Sequence, residues 1–190
     1  MSRIATLFAT TAVTVLVSGA VIAGPQQSGA QTQPPAQPRT GQTQMADRDE
    51  DFIKDVAQSS QVEIESSKLA MTKAMSPEVK AFAEQLVKDH EASSKELMDL
   101  VHAKNAMWPP DDPGLKAKKQ KHESLQTLTG AAFDKEYLED MISDHESSMA
   151  RFGRQREYGK DAQIKAFVEK ITPKLQEHLK MARDLRAKIK

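Results

Sequence analysis

From Asp49 to Lys190 no stretch alternates polar and apolar residues with period two, while apolar residues recur at intervals of three and four. That periodicity calls for helices packed through one face each and speaks against a sheet. Five helices follow. The first covers Asp49–Ala74, with Ile53, Val56, Ala57, Ile64 and Ala70 inward. The second opens on Ser76 as N-cap and Pro77 at the first helical position, where the missing N–H leaves no intrahelical bond unmade. It carries Val79, Phe82, Ala83, Leu86, Leu97 and Val101 on one stripe and ends near Lys104. Asn105–Gly114, with three prolines, reads as a loop, and a short lysine-bearing helix spans Leu115–Leu128. The fourth helix covers Ala131–Tyr158, inward through Phe133, Leu138, Met141, Ile142, Met149 and Phe152, and stops at Gly159. Asp161 caps the fifth, in which Ile164, Phe167, Ile171, Leu175, Ala182, Leu185 and Ile189 keep a heptad spacing. Pro173 inside that helix predicts a kink or a split. The expected fold is all-α: a ferritin-like four-helix bundle, residues 49–190, with a short fifth crossover helix.

The residues before the bundle have another character. Arg3 gives a short basic start, Ile4–Ala23 carries no charge, and Val21-Ile22-Ala23 presents a site that a signal peptidase reads. Residues 1–23 are therefore expected to be a signal peptide cleaved after Ala23, or alternatively after Ala20. Thr6, Thr10, Thr11, Thr14, Ser18 and Gly19 dilute the apolar run and weaken a membrane-anchor reading. Residues 24–48 form a Gln/Pro-rich linker: Gly24–Ala46 holds seven Gln and four Pro with Arg39 as its single charge, so it has no apolar surface to bury. Such a stretch is expected to be disordered. The predicted location is the periplasm, with no stable membrane insertion after cleavage.

Charge is balanced, at 27 basic and 27 acidic residues, which argues against nucleic acid as a partner. There is no cysteine, so neither disulfides nor thiolate chemistry are available. Protein partners are not legible, and a homo-oligomer stays open.

Chemistry is sought where polar residues occupy core positions, because burying them is costly without a partner. His90 is four residues after Leu86 and seven before Leu97; His145 lies midway between Met141 and Met149; His178 is three after Leu175; Glu63 is seven from both Val56 and Ala70. Counted from turns near 75 and 160, the four sit at similar heights, offset by about 4.5 Å within each hairpin. One buried histidine reads most simply as a hydrogen-bonded core residue. Three with a glutamate at one level read as a metal site, suited to a single transition metal, iron, zinc or copper. No Glu-x-x-His pair of the di-iron kind occurs. Asp89 and Asp144 precede two of the histidines and read either as acceptors for a neighbouring helix or as solvated charges. Met141, Met149 and Met181 read as core filling. His102 is expected to be exposed, and His122, among Lys116, Lys118, Lys119 and Lys121, to lie on a solvated face.

Two short similarities recur inside the chain. Val79-Lys-Ala-Phe-Ala-Glu84 resembles Ile164-Lys-Ala-Phe-Val-Glu169, and Asp89-His-Glu-Ala-Ser93 resembles Asp144-His-Glu-Ser-Ser148. Their offsets differ, so no single tandem duplication accounts for both.

Val62–Ala70, Ser76–Ala83, Asp89-His90, Gly130–Asp134 with Tyr137, Asp144-His145 and Glu177-His178-Leu179 together resemble domain-of-unknown-function family 4142 over about residues 49–186. The resemblance implies a ferritin-like bundle of the bacterial envelope with no assigned activity. Its recurring Glu and His positions fall on Glu63, His90, His145 and His178. The leading expectation is an exported bundle holding one transition metal, for metal handling or oxidative and envelope stress. The alternative is a metal-free structural or protein-interaction domain of the envelope. A third reading, a metal-dependent oxidoreductase, has no catalytic motif behind it.

Overall fold

The computed structural model describes residues 47–106, 108, 115–116, 119–120 and 122–189, all within one compact unit. The expected signal peptide and most of the expected linker lie outside the described residues. The helices are α1 (Asp47–Lys73), α2 (Pro77–Ala103), α3 (Ser124–Thr127), α4 (Gly130–Tyr158) and α5 (Ala162–Lys188), with no strand among the described residues. The fold is an all-α bundle of four long helices.

Helix α1 packs chiefly on α2, and α4 on α5; α1 also meets α4, and α2 meets α5. Neighbours run antiparallel. The connection from α2 to α4 begins at one end of the bundle and finishes at the other, the long crossover that ferritin-like connectivity uses. Side chains of one helix fix the starts of others. Asp134 on α4 accepts from the backbone N–H groups of Met75 and Ser76 ahead of α2, at 2.9 and 2.8 Å. Asp49 on α1 accepts from Lys160 N and Asp161 N ahead of α5, and Asp161 itself caps Gln163 and Ile164. These N–H groups have no intrahelical acceptor, so each carboxylate fills a vacancy intrinsic to a helix start.

The core divides in two. Near the α1–α2 turn, Phe82, Leu86, Phe133, Tyr137, Leu138 and Met141 form one apolar cluster. Near the α4–α5 turn, Phe52, Ile53, Leu97, Val101, Phe152 and Phe167 form the other. Glu63, His90, His145 and His178 are all buried, although none is apolar.

The structure corrects several expectations. Pro173 neither splits α5 nor ends it; the ring is exposed and the helix runs through. Ile64 and Ala57 are half-buried, whereas Val62 is buried, because α1 also carries the crossover on that flank. The helix expected over Leu115–Leu128 is interrupted. Leu115, Lys116, Lys119 and Gln120 are helical, His122 and Glu123 form a turn, and α3 is a separate single turn.

Candidate metal centre

Each long helix turns one polar residue into the seam between the two apolar clusters, and the four side chains meet. His90 Nε2 stands 3.1 Å from Glu63 Oε2. His145 Nε2 stands 3.4 Å from His178 Nδ1. Glu63 Oε2 is also 3.7 Å from His145 Nδ1. The three imidazole centroids lie 5.4 to 5.7 Å apart, and one nitrogen from each ring falls within 4.8 Å of the others. Two ligands bound tetrahedrally to one ion at about 2.0–2.1 Å stand about 3.4 Å apart, so the His145–His178 spacing already suits a shared ion and the wider separations, up to 4.8 Å, would close around it.

The surrounding hydrogen bonds decide which ring nitrogens carry protons. His145 Nδ1 lies 2.9 Å from the Met141 carbonyl, which can only accept, so Nδ1 donates and Nε2 keeps a lone pair. His178 Nε2 lies 3.0 Å from Asp89 Oδ2 and donates likewise, leaving Nδ1 free. The two lone pairs then face each other across the seam. A metal-ligating histidine is ordinarily oriented in this way, by giving its other N–H to a carbonyl or carboxylate. Glu63 Oε2 and His90 Nε2 are buried without an aligned hydrogen bond, close though they are. Polar atoms left so are costly in a core, and a cation that took their lone pairs would relieve that cost. The residues present therefore fit a metal ion: the three imidazoles, each on a different helix, bring one nitrogen each within 4.8 Å of the others, and Glu63 on the fourth helix lies beside His90.

Burial also keeps His90 and His178 neutral. Desolvation, then the His145 ring, lowers His90 to about 3. Desolvation lowers His178 to about 4, against the opposing pull of Asp89. The Glu63 carboxyl is pushed above the ordinary range by burial, which the nearby His145 partly offsets. Behind the centre, Ser67 and Tyr137 share a buried 2.9 Å hydrogen bond, and burial raises the Tyr137 phenol well above its usual value.

Asp89 and Asp144 differ in what they serve. Asp89 holds His178, as an acceptor on a neighbouring helix, and also pairs with Lys174 at 2.8 Å. Against the cost of its own burial, those two partners hold its carboxyl below the usual range. Asp144 instead holds His122. His122 is not on a solvated face as expected: it is buried, with Nδ1 2.8 Å from Asp140 and Nε2 3.0 Å from Asp144. Burial opposes its charge, but the two carboxylates outweigh burial and push it up to about 9. The spacing of Asp140 and Asp144, one turn apart on one face, is the signal that could have revealed this partner. His102 is exposed, and the three methionines pack in the apolar clusters.

The model of a family described as domain of unknown function DUF4142 matches residues 34–185. A DUF305 fragment from Deinococcus radiodurans superposes with a TM-score of 0.68 at 9% identity, covering 75% of this chain and 97% of its own. CopM in its Cu(II)-bound form gives 0.61 at 20% identity, with 73% and 96% covered. A DUF305 protein from Streptomyces coelicolor gives 0.64 at 16% identity, with 74% and 92% covered. At such identities the likeness is one of fold. No curated protein is similar enough to count as a match. Matched by the family model over most of its length, the chain belongs to the domain-of-unknown-function family DUF4142.

Proposed function

We propose that this protein is an exported metal-binding bundle that holds one transition-metal ion between Glu63, His90, His145 and His178, for metal handling or stress defence in the bacterial envelope. One observation carries the reading: three buried imidazoles bring one nitrogen each within 4.8 Å of the others, beside a buried Glu63 oxygen that has no aligned hydrogen bond. The donor set accepts copper, zinc or iron. CopM, solved with Cu(II), Cu(I) and silver, is the reason to try copper first. Export is supported by the basic start and uncharged run of residues 1–23, with residues 24–48 as a tether. Among the described residues no helix is long and apolar enough to cross a membrane. The exported product should begin at or near Gly24 by mass spectrometry; a chain retaining residues 1–23 would refute that part.

The metal itself is tested by elemental analysis and by melting with and without chelator. A ligand that binds only the folded state raises its stability, so chelation should lower the melting temperature of wild-type protein. His90→Ala, His145→Ala, His178→Ala and Glu63→Gln should each reduce metal content, because the remaining donors fall short of a coordination set. His102→Ala and His122→Ala should leave metal content unchanged. Protein that purifies without metal and ignores both chelator and added divalent ions would instead support a structural polar layer.

A further inference from the structure

A small cavity of about 20 Å³ lies against the centre, on the side facing the α4–α5 turn. Its polar walls repeat a pattern. Ser60 is three residues before Glu63, Ser93 three after His90, and Ser148 three after His145, so three helices each place a hydroxyl one turn beyond their ligand position. Glu63 and His90, whose Oε2 and Nε2 lack aligned hydrogen bonds, form its floor. Phe152, Phe167 and Leu175 close the far wall. The volume holds one or two water-sized atoms, since a single water needs about 10–15 Å³ measured in the same way.

Access is graded. Ser60, Glu63, His90 and Ser148 are buried, while Ser93 and Arg151 are half-buried. Arg151 also lines a second, outer depression of about 450 Å³, together with Arg48 and Arg154 and the carboxylates Asp51 and Asp55. Its guanidinium is held only loosely, at 3.4 Å from Asp55 and 3.5 Å from Ser59. A cation so placed stands between solvent and the cavity.

We propose that this cavity seats the coordinating end of an exogenous ligand of the metal: a small inorganic anion with one or two atoms inside the cavity, drawn in by Arg151 and held by the serine hydroxyls. The inference rests on the metal reading above and extends it to what the ion can accept from solution. The protein's donors approach from the helices, and the cavity brings serine hydroxyls and Arg151 to one side of the centre, set among apolar side chains such as Phe152, Phe167 and Leu175. An anion there would gain charge-assisted hydrogen bonds in a poorly solvated space.

The test loads wild-type mature protein with Cu(II), measures bound copper, and then titrates azide while following the ligand-to-metal charge-transfer band. A saturable azide band is expected. Arg151→Gln should weaken azide by about three- to tenfold, the effect of one partly screened charge at short range. Ser148→Val, which fills the cavity and removes a hydroxyl, should weaken it further, with copper content unchanged in both. Arg156→Gln, an exposed change on the same helix, should have no effect. Failure to bind copper, and zinc or iron in its place, would sink the metal reading and this inference together. Copper bound without any azide band, or a band indifferent to both Arg151→Gln and Ser148→Val, would overturn this inference alone. If Arg151→Gln lowers the melting temperature, Ser148→Val and the Arg156→Gln control still decide the outcome.

Discussion

The Asp–His step of the sequence occurs twice, and in both places the aspartate serves a histidine other than its neighbour: Asp89 binds His178, and Asp144 binds His122. Adjacent helical residues point about 100° apart, so the two members of each step face different elements. The serine three residues further on lines the cavity in both copies. Periodicity alone exposed the four inward polar residues, because each sits on an apolar stripe. It could not expose His122, whose burial depends on a crossover folding back on α4. Gly159 is another position where a tertiary contact decides. A Cβ there would stand 2.5 Å from the backbone oxygen of Gln155 and from its side-chain nitrogen. Gln155 is buried and donates to Asp49, so it cannot swing aside freely. Gly159→Ala should therefore cost about 1–3 kcal/mol in urea unfolding, as overpacking does. An unchanged midpoint would mean that the turn can shift at little cost.

At the level of elements, the four long helices were legible to within a few residues because each is long, periodic and punctuated. Ser76-Pro77 starts α2 and Asp161 starts α5, as their side chains and backbone predict. The crossover was the weak point. A lysine-rich stretch of that length is too short to be helical by itself, so its course is set by what it packs on. Pro173 failed as a breaker for a related reason: apolar contacts from Phe167 to Ala182 hold α5 together around one missing hydrogen bond. That leaves a removable defect on an exposed position. Pro173→Ala should raise stability by about 1–3 kcal/mol, a large part of the penalty for proline inside a helix. A fall in the melting temperature would show instead that the proline's restriction of the unfolded chain outweighs the missing hydrogen bond.

For the molecule as a whole, two sets of buried histidines pull its pH profile in opposite directions. His90 and His178, at about 3 and about 4, bind protons later on acidification than the unfolded chain, whose histidines titrate near 6.5. The unfolded state then holds more protons below 6.5, so stability falls as pH drops from 6.5 toward 4. His122, at about 9, does the reverse: its contribution is complete below 6.5 and is lost as pH rises toward 9. With chelator present, the melting temperature should peak near pH 6.5. His122→Gln should flatten the alkaline arm selectively, and a variant with both arms unchanged would contradict the burial of that ring in solution.

The division of labour between hairpins has one further consequence. Helices α1 and α2 form one tight pair, α4 and α5 the other, and the seam between the pairs is the thinner contact. Each pair lends two donors to the centre, Glu63 and His90 on one side, His145 and His178 on the other. An ion held among them would be a reversible cross-link between two halves that have no cysteine to join them. Hydrogen exchange would then record its departure first as loosening along the seam, with each hairpin still protected, because the bonds that disappear all run from one half to the other.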